Sequence, residues 1–369
     1  MFMLVQLKEL GTITTGNTPS KQNTDFYDSD DISFIKPDLL SDSEISLISY
    51  SNEFISEKAR SKARIADKDS IFVTCIGTIG KIGIASDGEY AFNQQINVIK
   101  VNDSIFPKYL AYALFHSKPR LIEIANAPVV PIINKTQFEK FTINVEMDKS
   151  KQREIITTLD KLQSIITHRT QQLEKLDELI KARFVEMFGD PVTNPNGYPI
   201  KAISEIADYW NGLTYKPEDV SEEGTVVLRS SNIQNMQLDF ADTVRVSCKI
   251  GDKKYVQNND ILMCSRNGSA KLVGKVALIH DLQEPMSFGA FMMIIRSDYY
   301  PYLMTYFQLP AFRSQITTGA TTTINQITGN MMNKVMLPVP DMNTIARFSA
   351  FVEQTNKSKF AVQNILEYT

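Results

Sequence analysis

What this 369-residue chain lacks narrows its function before any motif is read. It has three cysteines, Cys75, Cys248 and Cys264. Their odd number and spacing fit neither a disulfide framework nor a zinc ribbon, and agree with a reducing compartment. Its three histidines, His116, His168 and His280, have no cysteine or carboxylate at metal-ligand spacing, so no metal site is expected. No apolar run approaches the ~20 residues that span a bilayer. The opening MFMLVQLKEL has no basic stretch ahead of its apolar residues, so no secretory leader is expected and the reading is cytoplasmic. An excess of positive charge is also missing. The net charge of −3 argues against a uniformly basic nucleic-acid binder, while leaving room for local basic patches.

Catalytic signatures are missing as well. The loop Gly77-Thr78-Ile79-Gly80-Lys81-Ile82 is too short for a phosphate loop. Between Gly268 and Gly274-Lys275 stand five residues where that motif has four. Both loops end in an apolar residue where a magnesium-binding Ser or Thr is required. Asp190-Pro191…Asn194-Pro195 lacks the aromatic of an amino-methyltransferase site and reads as a linker. No Ser-His-Asp, Cys-His or carboxylate-lysine set can be assembled, so no catalytic residue is expected.

What is present is an internal repeat. Leu7, Leu10, Thr14, Thr15 and Gly16 have counterparts in Ile203, Ile206, Trp210, Asn211 and Gly212. The run from Phe34-Ile35-Lys36 matches Val227-Leu228-Arg229, and Asp69 to Val73 faces Asp260 to Met263. Gly80-Lys81-Ile82 matches Gly274-Lys275-Val276, Ile133-Asn134 echoes Ile324-Asn325, and Lys140 to Ile143 echoes Lys334 to Leu337. Short β-branched runs punctuated by Gly, Asn, Asp and Pro predict strands and loops in each half. A helical patch follows in each, Pro107 to Ile124 and Tyr300 to Ile316.

Between the halves, Lys151 to Phe188 contains no Gly or Pro. Ile155, Leu162, Arg169, Leu176 and Arg183 occupy one heptad position. Leu159, Ile166, Leu173, Ile180 and Met187 occupy the other. This 4-3 alternation predicts a long helix with a coiled-coil seam, ended by Gly189-Asp190-Pro191. A second helix is expected from Asn343 to Tyr368, with Ile345, Phe348, Val352, Val362 and Leu366 on its seam, interrupted by Thr355 and Lys359. An antiparallel pairing with the first helix follows from the repeat. The fold class is mixed α/β, two related domains separated by long helices. The expected domains are 1–150, a central helix 151–190, 191–342, and a C-terminal helix 343–369.

This architecture resembles the specificity subunit of type I restriction-modification systems. The resemblance rests on Leu176-Asp177-Glu178-Leu179-Ile180-Lys181-Ala182-Arg183-Phe184-Val185-Glu186-Met187-Phe188-Gly189-Asp190-Pro191, on Leu7-Lys8-Glu9-Leu10…Thr15-Gly16-Asn17-Thr18-Pro19, and on the paired Gly-Lys blocks. It implies that 1–150 and 191–342 are target-recognition domains, each reading half of a split double-stranded DNA site. It also implies that the helices act as spacer and bind methyltransferase subunits, to which restriction/translocase subunits join. S-adenosylmethionine, ATP and Mg would then belong to those partners. The C-terminal helix is shorter than a full copy of the central one. The rival reading is a non-catalytic protein–protein adaptor built on the coiled coil.

Within that reading, Lys81 and Lys275 follow equivalent glycine turns and are assigned to phosphate, because a shared residue does not encode two different half-sites. Lys36 and Arg229 end equivalent strands. Base-reading candidates are the residues that differ: Thr78, Asn93, Gln94 and Gln95 in the first domain, and Arg266, Asn267 and Ser269 in the second. Lys58, Arg60, Lys62 and Arg64 form the densest basic run, either a phosphate ridge or a solvated face.

Overall fold

The computed structural model describes residues 2–125, 130–317 and 325–367; Ile324 of the repeat and Tyr368 of the second helix lie outside them. The chain divides into two compact units, Met1–Ile165 and Ile166–Thr369.

Unit 1 is built on Ile71–Thr74, a strand buried at every position without alternation. That pattern marks a strand covered on both faces. It pairs antiparallel with Ile96–Val101 on one side and Ile82–Ala85 on the other, and Gly11–Thr15 and Ser46–Ile48 complete a five-stranded sheet. A four-stranded sheet holds Ile32–Ile35 parallel to Glu89–Phe92 at its centre. Phe2–Gln6 lies antiparallel to Thr142–Glu146. Helices Pro107–His116 and Lys118–Glu123 bury Tyr109, Leu110, Leu114 and Leu121 in the same core as Ile71, Val73 and Ile82. The single expected patch is broken at Ser117 because Pro119 can stand only in the first turn of a new helix.

Unit 2 repeats this plan. Its main sheet has the order Asp208–Asn211, Met292–Arg296, Ile261–Cys264, Val276–Leu278. Thr225–Leu228 lies parallel to Met286–Phe288, and Ile200–Ala202 antiparallel to Met336–Pro338. Strand register fixes the equivalences residue by residue. Ile71 faces Ile99 and Ile84, as Ile261 faces Ile295 and Leu278. Thr14 faces Val98, as Trp210 faces Ile294.

Backbone demands explain why the repeat is visible in residue types. A Cβ on Gly16 would stand 2.1 Å from the Asn93 carbonyl oxygen, and one on Gly212 would stand 2.1 Å from that of Phe288. Gly80 and Gly274 both have left-handed φ, 78° and 81°. Asp69 and Asn259 are also left-handed, at 65° and 72°, so Asp69 corresponds to Asn259 and the sequence match to Asp260 was one residue out. The echo of Ile133-Asn134 in Ile324-Asn325 also shifts. The Ile133 amide donates to the Cys75 carbonyl at 2.8 Å, and the Ile327 amide to the equivalent Ser265 carbonyl at 2.7 Å. Asn134 and Thr328 then cap equivalent short helices through Gln137 N and Met331 N.

The central helix runs Lys149–Phe188, begun by the Asp148 carboxylate accepting Ser150 N at 2.8 Å and ended at left-handed Gly189, φ 76°. In unit 1 its first turns carry fully buried Gln152. The Gln152 side-chain oxygen accepts Phe106 N at 3.0 Å and its amide donates to the Glu146 carbonyl at 2.7 Å. In unit 2, its last turns meet the C-terminal helix Met342–Glu367. Phe348 packs edge-on against Phe184 and Phe188, ring centroids 5.7 and 5.2 Å away, while Lys359 Nζ reaches Asp177 Oδ1 at 2.6 Å. Residue numbers fall along one helix as they rise along the other, so the pair is antiparallel.

The expected seam needs correction. Ile166 is exposed, and Leu159, Leu162, Leu173, Leu176 and Met187 are half-buried, with Ile155 packed on the core of unit 1. The covered positions opposite the second helix are Ile180, Phe184 and Phe188, four apart. At 3.6 residues per turn such a row stays on one face for two turns, and the two rings fill more space than Met187. On the second helix Phe348 and Val362 are buried, Val352 and Leu366 half-buried. Thr355 and Lys359, which looked like interruptions, are themselves buried. Thr355 Oγ1 donates to the Phe351 carbonyl at 2.9 Å, and Lys359 has the carboxylate of Asp177.

Candidate nucleic-acid interface

In each unit the turn after the central buried strand lies beside the turn joining the two sheets. In unit 1, Cys75 N donates to the Gln95 carbonyl at 2.8 Å and Gly77 N to the Pro131 carbonyl at 3.0 Å. Lys81 Nζ donates to the Pro37 carbonyl at 3.2 Å, next to Lys36. Thr78, Lys81, Lys36 and the 93–95 turn are thus gathered on one face. Thr78 and Gln94 are exposed there, with Gln94 Oε1 accepting the Thr18 hydroxyl at 2.8 Å.

Asn93 is a correction. Only 5% exposed, it accepts Gln95 N at 3.1 Å and donates to Gln95 Oε1 at 2.9 Å. Buried in this Asx turn, Asn93 shapes the loop and does not present its amide at the surface.

In unit 2, Arg266, Asn267 and Ser269 occupy the matching turn. Asn267 Nδ2 donates to Ser230 Oγ at 3.2 Å and its Oδ1 accepts Ser269 N at 2.9 Å, while Asn325 Nδ2 donates to the Gly268 carbonyl at 3.2 Å. Ser230 follows Arg229, so the two loops meet. Lys275 is half-buried at the position of Lys81.

The charges are largely committed within each unit. Lys36 pairs with Glu53, Lys58 with Asp28 at 2.6 Å, and Arg60 with both Glu57 and Glu89. The Arg60 guanidinium holds the Glu89 carboxyl below the usual carboxylate range. Half of the basic run is therefore neutralised in place, leaving Lys62 and Arg64 exposed. Arg229 lies 2.8 Å from Asp242. Among the described residues Lys81, Lys275 and Arg266 form no ion pair.

Groups that could do chemistry are quiet. Burial pushes the Cys75 thiol up to about 12 and raises Cys264, so neither is a thiolate near neutrality. Among the described residues no three His, Cys, Asp or Glu side chains stand where they could hold a metal ion. None of the described helices is long and apolar enough to cross a membrane.

Sequence reasoning missed Phe291, which is 58% exposed with the Arg266 guanidinium 5.1 Å from its ring centroid. The signal was available: extending the Gly16/Gly212 match carries Gln95 onto Phe291.

Residues 2–177 match the family model described as type I restriction modification DNA specificity domain. The chain is 27% identical over 157 residues to the type I restriction enzyme EcoKI specificity subunit of Escherichia coli, covering 40% of this chain and 34% of that protein. It is 25% identical over 242 residues to the MjaIX specificity subunit of Methanocaldococcus jannaschii, covering 60% of this chain and 55% of that one. The chain thus spans about a third to a half of these curated relatives. In fold it is similar to the type I restriction-modification S subunit of M. genitalium, with a TM-score of 0.51 and 13% identity over 100% of this chain and 94% of that one.

Proposed function

We infer that this chain is a type I restriction-modification specificity subunit that reads a bipartite double-stranded DNA site and performs no catalysis itself. One observation carries the reading. The same scaffold occurs twice, with its strained turns and its Gly-Lys pair kept, while the side chains on the turns between them differ. A repeated frame with divergent turns suits two half-sites of unlike sequence. The helices supply docking surface for the modification (methyltransferase) subunits, with restriction/translocase subunits joining them. Ile165, Ile166, Leu179 and Val185 expose 43%, 36%, 46% and 46% of their surface along the central helix, which supports that role. S-adenosylmethionine, ATP and Mg are assigned to those partners.

With Lys36, Lys58, Arg60 and Arg229 already paired within their units and a net charge of −3, the chain alone is expected to bind DNA weakly and the joined complex specifically. Mobility shifts with and without a modification subunit test this. Exchanging 191–342 for the matching unit of another specificity subunit should change one half-site only. Loss of both preferences together, or equal binding of every sequence by the complex, would favour the adaptor reading.

A further inference from the structure

We propose that Phe291 and Arg266 together form the base-reading element of unit 2, and that Gln95 and Ile76 hold the equivalent position in unit 1. The proposal rests on the DNA-reading function and says where on unit 2 specificity is written.

The backbone at this position is the same in both units. The Gly16 amide donates to the Ile96 carbonyl at 3.0 Å and the Gly212 amide to the Met292 carbonyl at 3.2 Å, which sets Gln95 and Phe291 in register. The Gln95 carbonyl accepts Cys75 N at 2.8 Å. The Phe291 carbonyl accepts Ser265 N at 2.9 Å, Arg266 N at 3.0 Å and Ser265 Oγ at 2.9 Å. Phe291 therefore projects from a backbone pinned by three donors, where the entropic cost of ordering is already met.

The side chains are opposite in character. Gln95 is half-buried and folded back on Asn93, whereas unit 2 has Gly289 in place of Asn93 and so no side chain there for residue 291 to fold back on. An aromatic ring left mostly in water on a rigid turn contributes little to the fold, and it offers an apolar edge to a thymine methyl or a base step. Beside it, Arg266 is exposed and forms no ion pair among the described residues, unlike Arg229, Arg245 and Arg296. Its guanidinium rests against the ring and, among the described residues, donates no side-chain hydrogen bond. Such a planar fork matches O6 and N7 of guanine in the major groove. The ligand is thus a G·C pair read by Arg266 with an adjacent step read by Phe291.

The test uses the full chain joined to a modification subunit, selecting from a randomised duplex DNA pool, with Arg266→Ala, Arg266→Lys, Phe291→Ala and Phe291→Gln. Wild type should enrich a split sequence. Arg266→Ala should relax one G·C position in one half-site by roughly tenfold or more, with the lysine variant recovering part of it. The Phe291 variants should relax the neighbouring position, and the other half-site should stay unchanged. Unaltered preference in every variant, or uniform weakening across all sequences, overturns the proposal while leaving the DNA-reading function intact. A wild-type complex that enriches no sequence overturns both. Unfolding midpoints equal to wild type confirm that the variants are folded.

Discussion

The main sheets of the two units place charge differently at the same point of the scaffold. In unit 2, Asp260 is 1% exposed and receives the Arg296 guanidinium on both oxygens, at 2.6 and 2.7 Å, while that guanidinium lies 5.0 Å from the Trp210 ring. In unit 1 the register substitutes Ser70, Lys100 and Thr14, and Lys100 turns outward to exposed Asp67 at 2.6 Å. The comparison teaches that strand register and glycine turns carry the fold, since the same frame holds a bidentate pair on a buried carboxylate in one unit and a solvated pair in the other. It also locates where the units should respond differently to substitution.

The largest difference should come from Asp260→Asn, which leaves Arg296 without its carboxylate and should cost unit 2 about 3 kcal/mol, the lower end for a buried pair because Arg296 keeps a third of its side chain in water. Asp67→Asn should cost unit 1 less than ~1 kcal/mol. The single tryptophan, Trp210, lies in unit 2, so its fluorescence during denaturant unfolding follows that unit alone. Equal losses would erase the contrast.

Next in size, Gly16→Ala and Gly212→Ala should each cost about 2–3 kcal/mol in their own unit, because the new methyl meets a carbonyl oxygen in both. Here the units should behave alike. A harmless substitution in one and a damaging one in the other would show that the shared frame is less alike than its register.

Much of this was legible in the sequence because backbone geometry restricts residue choice. Gly16, Gly80, Gly212 and Gly274 stand where no side chain fits or where φ is positive, and the central helix announced itself by lacking Gly and Pro. Burial was less legible. Phe184 and Phe188 fall outside a strict heptad, Lys359 looked like a break until Asp177 stood opposite it, and Asn93 looked like a reader until Gln95 closed on it. Each depends on a neighbour distant in sequence or on a local turn that periodicity does not report.

A smaller effect should follow from Lys359→Met, about 2 kcal/mol. It falls below the cost for a fully buried pair because Asp177 keeps a third of its side chain in water. Adding Asp177→Leu should restore most of the loss, and thermal unfolding of the single and double variants measures it. If the double variant is as unstable as the single one, the pair does not act as a unit.

The smallest effect is the acid response of unit 1. The Lys100 ammonium bonded to Asp67 holds that carboxyl below the usual carboxylate range. Its contribution is therefore full above the ordinary aspartate value near ~4 and is lost as pH falls through the lowered one. Wild type and Lys100→Ala should differ slightly at neutral pH and converge in acid, as read by far-ultraviolet circular dichroism. A difference that grows in acid would reverse the assignment.

The strand that opens each unit is paired with the strand that closes it: Phe2 with Glu146, and Ile200 with Pro338. For a chain leaving the ribosome this sets a timetable. The opening strand of a unit has no partner until most of that unit has emerged, so its pairing is the most non-local and latest strand contact of the unit. Meanwhile Phe2, Met3 and Leu4, apolar and exposed even in the finished structure, travel as an open edge. Arrested nascent chains ending before and after 142–146 should differ sharply in protease resistance of the N-terminal strand. Unit 1 would then lock shut while unit 2 is still being synthesised.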